Sequence, residues 1–216
     1  MLIHPWDAPA DDSEWRLWLA EHSFGQLAVN GVDGEPPFVQ PLHFSYEPGA
    51  GPYGEVLTHL ARPNPIWATL AANPRVLLSV VDDYVFVPGP WQAPDGAPPE
   101  HGTPTSFYTA VQLHCTAHPV DDPHAKAELL NRQMSRFQPD GTSARAAAGQ
   151  APFGRMLSGI RGLRLDVTSV RAKFKYGSHK PAVVLDRTAA GLAERGGPRD
   201  AQAAAHHARR RPANRP

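Results

Sequence analysis

Proline and glycine punctuate this sequence so closely that its apolar runs stay short. The 24 prolines and 18 glycines are scattered along the 216 residues rather than gathered in one tract. Between them lie stretches in which apolar and polar residues alternate, the mark of strands with one buried face. A chain written this way builds many short strands joined by turns. Its length allows a sizeable core, and the natural organisation is one domain over residues 1–200 with a disordered tail at 201–216.

Taken in order, Asp11-Asp12-Ser13 ahead of Glu14 to Glu21 predicts a capped amphipathic helix, with Trp15, Trp18 and Leu19 at helical spacing. Phe24 to Asn30 and Phe38 to Tyr46 read as a hairpin about the turn Gly31-Val32-Asp33-Gly34. Glu55 to Leu60 is the next strand, and a helix from Ile66 to Ala72 ends before Pro74. Val76 to Val81 and Tyr84 to Val87 read as strands on either side of an Asp82-Asp83 turn. A proline-rich loop over residues 88–104 leads to the longest strand, Thr105 to Ala117. Asp122 with Pro123 caps a helix reaching Phe137, and Ile160 to Thr168 is a further strand. Arg171 to Lys180 reads as a basic turn with interleaved aromatics, Pro181 to Glu194 as the last helix, and the residues past Asp200 as a frayed or disordered end. The fold class is therefore mainly β with flanking helices (α+β), an antiparallel barrel. A small barrel fills its own interior, so a large ligand sits outside it or between two subunits.

Charge and composition exclude several function classes. Lys plus Arg and Asp plus Glu are both 21, which gives no electrostatic footprint for nucleic acid. No run reaches membrane-spanning length and the N-terminus lacks signal-peptide character, so the expected location is the cytoplasm. The single cysteine, Cys115, cannot form an intrachain disulfide. Zinc-ligand spacings, dinucleotide fingerprints and phosphate-binding lysine loops are all absent.

Two basic features stand out. The first is the corner Thr58-His59-Leu60-Ala61-Arg62-Pro63-Asn64-Pro65-Ile66-Trp67, where Asn64 suits a helix N-cap and Pro65 the first helical position. Arg62 beside a helix start can hold a phosphate or carboxylate, and His59 can ligate a metal or carry a proton. Alternatively Arg62 is a solvated charge and His59 an ordinary strand residue. The second feature is the Lys173/Lys175 turn, which either solvates itself or joins the corner as an anion clamp. Trp67, Trp91, Phe107 and Tyr108 can stack on a planar ring or simply pack.

The run His59-Leu60-Ala61-Arg62-Pro63-Asn64-Pro65-Ile66-Trp67 resembles the most distinctive motif of the PaiB-type family, labelled FMN-binding negative transcriptional regulators. His22-Ser23-Phe24-Gly25-Gln26-Leu27, Tyr84-Val85-Phe86-Val87-Pro88, Thr103 to Tyr108, Ile160-Arg161-Gly162 and Lys173-Phe174-Lys175 agree in order. The chain departs from the family's pattern at Ser106-Phe107-Tyr108 and at Lys175-Tyr176-Gly177-Ser178-His179. The resemblance implies a flavin-binding split barrel related to pyridoxamine-phosphate oxidases, a homodimer with FMN at its interface. Arg62 and Asn64 would then lie near the phosphate, and Trp67, Lys173 and Lys175 would complete the site. The label also brings DNA as a partner, although no helix-turn-helix pattern is visible. A haem-binding offshoot, the piperazate synthases, resembles the chain at the same corner; there His59 would be the axial iron ligand of an enzyme that makes an N–N bond. A third alternative is a cofactor-free binding or regulatory module.

Overall fold

The structure, a computed structural model, describes residues 1–32 and 34–211. Among the described residues seven strands carry the fold: β1 (Phe24–Val29), β2 (Phe38–His43), β3 (Ser45–Glu47), β4 (Glu55–Ala61), β5 (Arg75–Val87), β6 (Thr105–Val120) and β7 (Ile160–Lys175). Five helices among the same residues accompany them: α1 (Asp12–Ala20), α2 (Ile66–Ala72), α3 (Pro123–Phe137), α4 (Ala182–Arg195) and α5 (Asp200–Arg209). The strands hydrogen-bond in the order β2-β1-β5-β6-β7-β4-β3. Strand β1 pairs antiparallel with β2 and β5, and β4 pairs antiparallel with β3 and β7. The chain divides into two compact units, each described here by itself. Among the described residues, one is built from Met1–Trp15, Val81–Val111 and Arg171–Arg211, the other from Arg16–Val80 and Gln112–Val170.

Several elements differ from the sequence expectation, each for a local reason. The strand expected over Phe38 to Tyr46 is two strands, because Phe44 leaves the ladder: its N–H goes to Ser23 O at 2.9 Å and its ring is fully buried. Asp33, in the turn expected between β1 and β2, lies outside the described residues. Asp82-Asp83 is not a hairpin turn but a kink inside the single strand β5. Asp83 takes φ 57°, a left-handed conformation that Asp tolerates better than most residues. Its carboxylate meets His206 Nε2 of α5 at 3.0 Å, and Asp82 meets Arg199 at 3.0 Å. The basic turn expected from Arg171 begins five residues later, at Tyr176, since β7 runs on to Lys175. The proline-rich stretch contains two short 3-10 turns, Gly89–Gln92 and Pro99–His101, pinned to α4 by Gln92 Nε2 on Thr188 Oγ1 and Arg187 on Ala93 O.

Where a disordered tail or a frayed helix was expected, Asp200–Arg209 is a helix with Ala203, His206 and His207 buried, and residues 212–216 of that tail lie outside the described residues. Its start is fixed by Asp200, whose carboxylate accepts from Arg195 Nε and from Gly197 N–H, both at 2.8 Å. The Arg195 guanidinium holds the Asp200 carboxyl below the usual carboxylate range, with the Gly197 N–H adding to the effect. A depressed folded value means the stabilisation is complete above the ordinary carboxylate pKa, near about 4, and is lost as pH falls through the lower folded value. Asp200→Asn is expected to cost about 1–3 kcal/mol at neutral pH. Urea denaturation should show the gap to the parent protein narrowing below about pH 4.

The core of the larger-sheet unit holds Leu27, Phe44, Val56, Ile66, Leu78, Leu113, Leu163 and Leu165, all essentially inaccessible. A satellite cluster of Ala127, Ala146 and Leu157 lies under α3. The other unit buries Phe107, Val111, Phe174 and Tyr176 together with Leu185 and Leu192 of α4 and Ala203 of α5. No helix among the described residues is long and apolar enough to cross a membrane.

Candidate functional site

The expected site residues fall into two sets, one in each unit. His59, Arg62, Asn64 and Trp67 sit together where β4 turns into α2; Lys173 and Lys175 end β7 in the other unit.

At the corner, Arg62 N–H reaches Gly159 O at 2.8 Å and Asn64 N–H reaches Ala61 O at 3.1 Å, so the turn is fixed by backbone. Asn64 caps as expected in kind, its Oδ1 accepting from Ile66 N–H at 3.0 Å, while Pro65 already holds φ −63° and ψ −19°. Asn64 Nδ2 donates to Gln40 Oε1 at 2.9 Å. Arg62 donates Nε to Ser158 O at 2.8 Å and stands 3.7 Å from Asp121, a carboxylate that Arg161 grips with two bonds. Arg161 is also the first cause that holds Asp121 below the usual carboxylate range. Trp67 is buried, its indole N–H bonded to Ala61 O at 2.9 Å and its ring under the Arg161 guanidinium at 4.7 Å.

His59 is exposed, and its hydrogen bonding determines which ring nitrogen is bare. Opposite it in the β4–β7 register stands Gly162, where a Cβ would meet Val120 Cβ at 3.1 Å and Leu129 Cδ1 at 3.2 Å. Glycine thus lets α3 approach closely, and Gln133 of α3 reaches the strand. Gln133 Nε2 donates to Leu57 O at 3.1 Å, and Gln133 Oε1 lies 2.8 Å from His59 Nδ1. Leu57 O can only accept, so the amide orientation is fixed and Gln133 Oε1 must accept too. His59 Nδ1 therefore carries the hydrogen, and in the neutral ring Nε2 keeps its lone pair. Gln133 was not foreseen, although a polar residue on the buried face of α3, seven residues after Lys126, is a readable signal.

In the other unit a cavity of about 360 Å³ opens beside the end of β7. Lys173, Lys175 and Lys180 line it together with the N-terminal strap residues His4, Trp6 and Asp7. The strap is tied down by its own backbone: Leu2 O accepts from Lys173 Nζ at 2.9 Å, Asp7 O from Phe174 N–H at 2.8 Å, and Trp6 O from Ser178 Oγ at 2.6 Å. Trp6 stacks on His4, ring centres 4.6 Å apart, and lies 4.9 Å from His179. Lys173 and Lys175 both approach the Tyr108 ring, at 5.9 and 5.8 Å. Burial first, then Lys173, pushes the Lys175 amine below its ordinary value. Burial and then Lys180 do the same to His179. No local sequence signal marks the strap, since most of its hydrogen bonds are made by its carbonyls, with the Asp7 carboxylate adding an ion pair to Lys173. Cys115 is buried in the unit that carries the corner, its thiol pushed up to about 12. Among the described residues no group of three or more His, Cys, Asp or Glu side chains forms a metal site.

The antiparallel sheet, with its strand order and flanking helices, has the flavin-binding split-barrel fold. The chain belongs to the family described as "Putative FMN-binding domain", which matches residues 1–169. Among similar solved structures is the flavocytochrome Anf3 from Azotobacter vinelandii, with a TM-score of 0.60 and 19% identity over 79% of this chain and 70% of that one. The FAD and heme binding protein from Mycobacterium smegmatis gives a TM-score of 0.59 and 21% identity, covering 84% of this chain and 79% of that one. A conserved hypothetical protein from Mycobacterium tuberculosis gives 0.55 and 16%, covering 84% and 94%. No curated protein matches the chain in sequence.

Proposed function

We propose that this chain is a flavin-binding protein of the PaiB type that takes FMN and works as a homodimer. The observation that carries the reading is the charge of the cavity: three lysines and one carboxylate, Asp7, face a space walled by Trp6 and His179. A planar ring system with an anionic end fits that chemistry. The family description supports FMN in particular, and two similar structures are described as a flavocytochrome and as an FAD and heme binding protein. Bound flavin would supply hydride or electron transfer, with the chain supplying binding and orientation. The regulator role rests on the PaiB resemblance, while the balanced charge of the sequence gives DNA no general attraction. The test is the visible spectrum of purified protein after supplementation with FMN or FAD and removal of excess. Retained flavin absorption, weakening as salt is raised, is the expected result. A protein left colourless by both flavins would overturn the reading.

A second reading, haem ligation by His59, is favoured by the bare Nε2 that the Gln133 relay leaves on an exposed ring. Haem-ligating histidines are commonly held by such a second hydrogen bond, and losing it typically weakens metal binding by about 10–100-fold. On this reading His59→Ala abolishes a Soret band, and Gln133→Leu lowers haem affinity by about 10–100-fold. A Soret band indifferent to His59→Ala would eliminate His59 as the ligand.

A further inference from the structure

The two lysines at the end of β7 look equivalent in sequence, two residues apart and so on one face of the strand. Their surroundings separate them. Lys173 is already engaged: its Nζ donates to Leu2 O at 2.9 Å and lies 3.5 Å from Asp7 Oδ2, and both side chains are at most 10% exposed. Among the described residues Asp7 is the only carboxylate lining the cavity, and Lys173 holds it. Lys175 donates to Thr105 Oγ1 at 3.0 Å, and among the described residues no carboxylate forms an ion pair with it. A half-buried ammonium beside a second ammonium, with the Thr105 hydroxyl and the face of Tyr108 as its partners, gains most from an incoming anion. The lowered proton affinity of Lys175 has the same origin, burial first and Lys173 second.

We propose that Lys175 is the anion contact of this cavity and that Lys173 is a clasp which keeps the N-terminal strap, and with it Trp6, in the cavity wall. The group recognised is a terminal phosphate monoester, or a carboxylate in the same place, on a compound whose planar ring stacks on the Trp6 and His179 side of the cavity. This rests on the reading that the anionic end of the flavin enters here, and it adds which residue discriminates. Lys173 positions; Lys175 selects.

The test compares FMN with riboflavin, which differ by the phosphate alone, on the full chain and on Lys175→Met, Lys175→Arg and Lys173→Met. The parent protein should prefer FMN. Lys175→Met should lower FMN affinity by about 10–100-fold and leave riboflavin affinity unchanged, with Lys175→Arg restoring most of the preference. Lys173→Met should keep the FMN preference while the strap becomes easier to cleave with chymotrypsin at Trp6. A Lys175→Met variant that weakens both flavins equally, or a Lys173→Met variant that alone loses the preference, would overturn the assignment. A second measurement separates this inference from the flavin reading: acylation of lysines by an amine-reactive reagent, read by mass spectrometry, with and without inorganic pyrophosphate. Selective protection of Lys175 in a protein that binds neither flavin would reject the flavin reading and keep the anion site. The absence of both flavin discrimination and protection would reject the anion site itself.

Discussion

Phe174→Ala is expected to destabilise the protein by about 3–5 kcal/mol, the range for removing a large aromatic from a closed core. The Phe174 ring is fully buried, and the guanidinium of Arg210 lies 5.1 Å above it. Arg210 also binds the Glu14 carboxylate and the backbone carbonyls of Trp6 and Ala8. Its Nε is buried without a hydrogen-bond partner, so the face of the ring is the neighbour that balances that side of the cation. Removing the ring opens a void and deprives the guanidinium of its support at once. The N–H of Phe174 meanwhile holds Asp7 O, which makes the strap the element nearest the damage. Urea denaturation measures the loss, and limited proteolysis should show the strap cleaved sooner. A cost below about 1 kcal/mol would mean that the site collapses onto the gap and that the cation is balanced elsewhere.

Gly191→Ala should reverse the usual sign of its kind. In an exposed helix interior that exchange gains about 1 kcal/mol. Here a Cβ would stand 2.4 Å from Trp91 Cε2 and 2.5 Å from Cδ2, well inside contact distance. Trp91 has little room to give way, because the Arg195 guanidinium lies over its ring at 5.1 Å and the next residue, Gln92, is tied to Thr188 of α4. Overpacking of this kind costs about 1–3 kcal/mol. Thermal denaturation of Gly191→Ala, of Trp91→Leu and of the double variant gives the coupling directly. The double variant should be more stable than the sum of the single losses, and strict additivity would show that the ring and the glycine are independent.

Much of the fold was legible because its signals are local. Asp122 with Pro123 opened α3 where expected, its side chain accepting from Ala125 N–H at 2.8 Å, and the Arg62–Pro65 corner sits between strand and helix as read. The misreadings have a common cause in distant contacts. Asp82-Asp83 has the composition of a turn, yet Arg199 and His206, more than a hundred residues later, hold both carboxylates while the strand continues. Polar and small residues past Asp200 suggested disorder or a frayed helix, whereas His207 sets Nδ1 at 2.7 Å from Tyr176 O and Nε2 at 3.0 Å from Leu185 O inside the packed unit. The candidate site divides in the same way. His59 could be named from its motif, but the nitrogen it presents is decided by Gln133, 74 residues away. Lys173 and Lys175 could be named together, but only the strap distinguishes them.

The strap also bears on where this protein can be cut. The family match ends at residue 169, ten residues into a β7 that runs from Ile160 to Lys175. Among the described residues, the hydrogen bonds that tie the first eight residues to the rest of the chain come from the far side of that boundary: Arg171, Lys173, Phe174, Ser178 and Arg210. Kinship and folding therefore have different borders in this chain. A polypeptide shortened to the shared region would keep the His59 corner with its Gln133 relay and release its own beginning, because the first residues are fastened by the last.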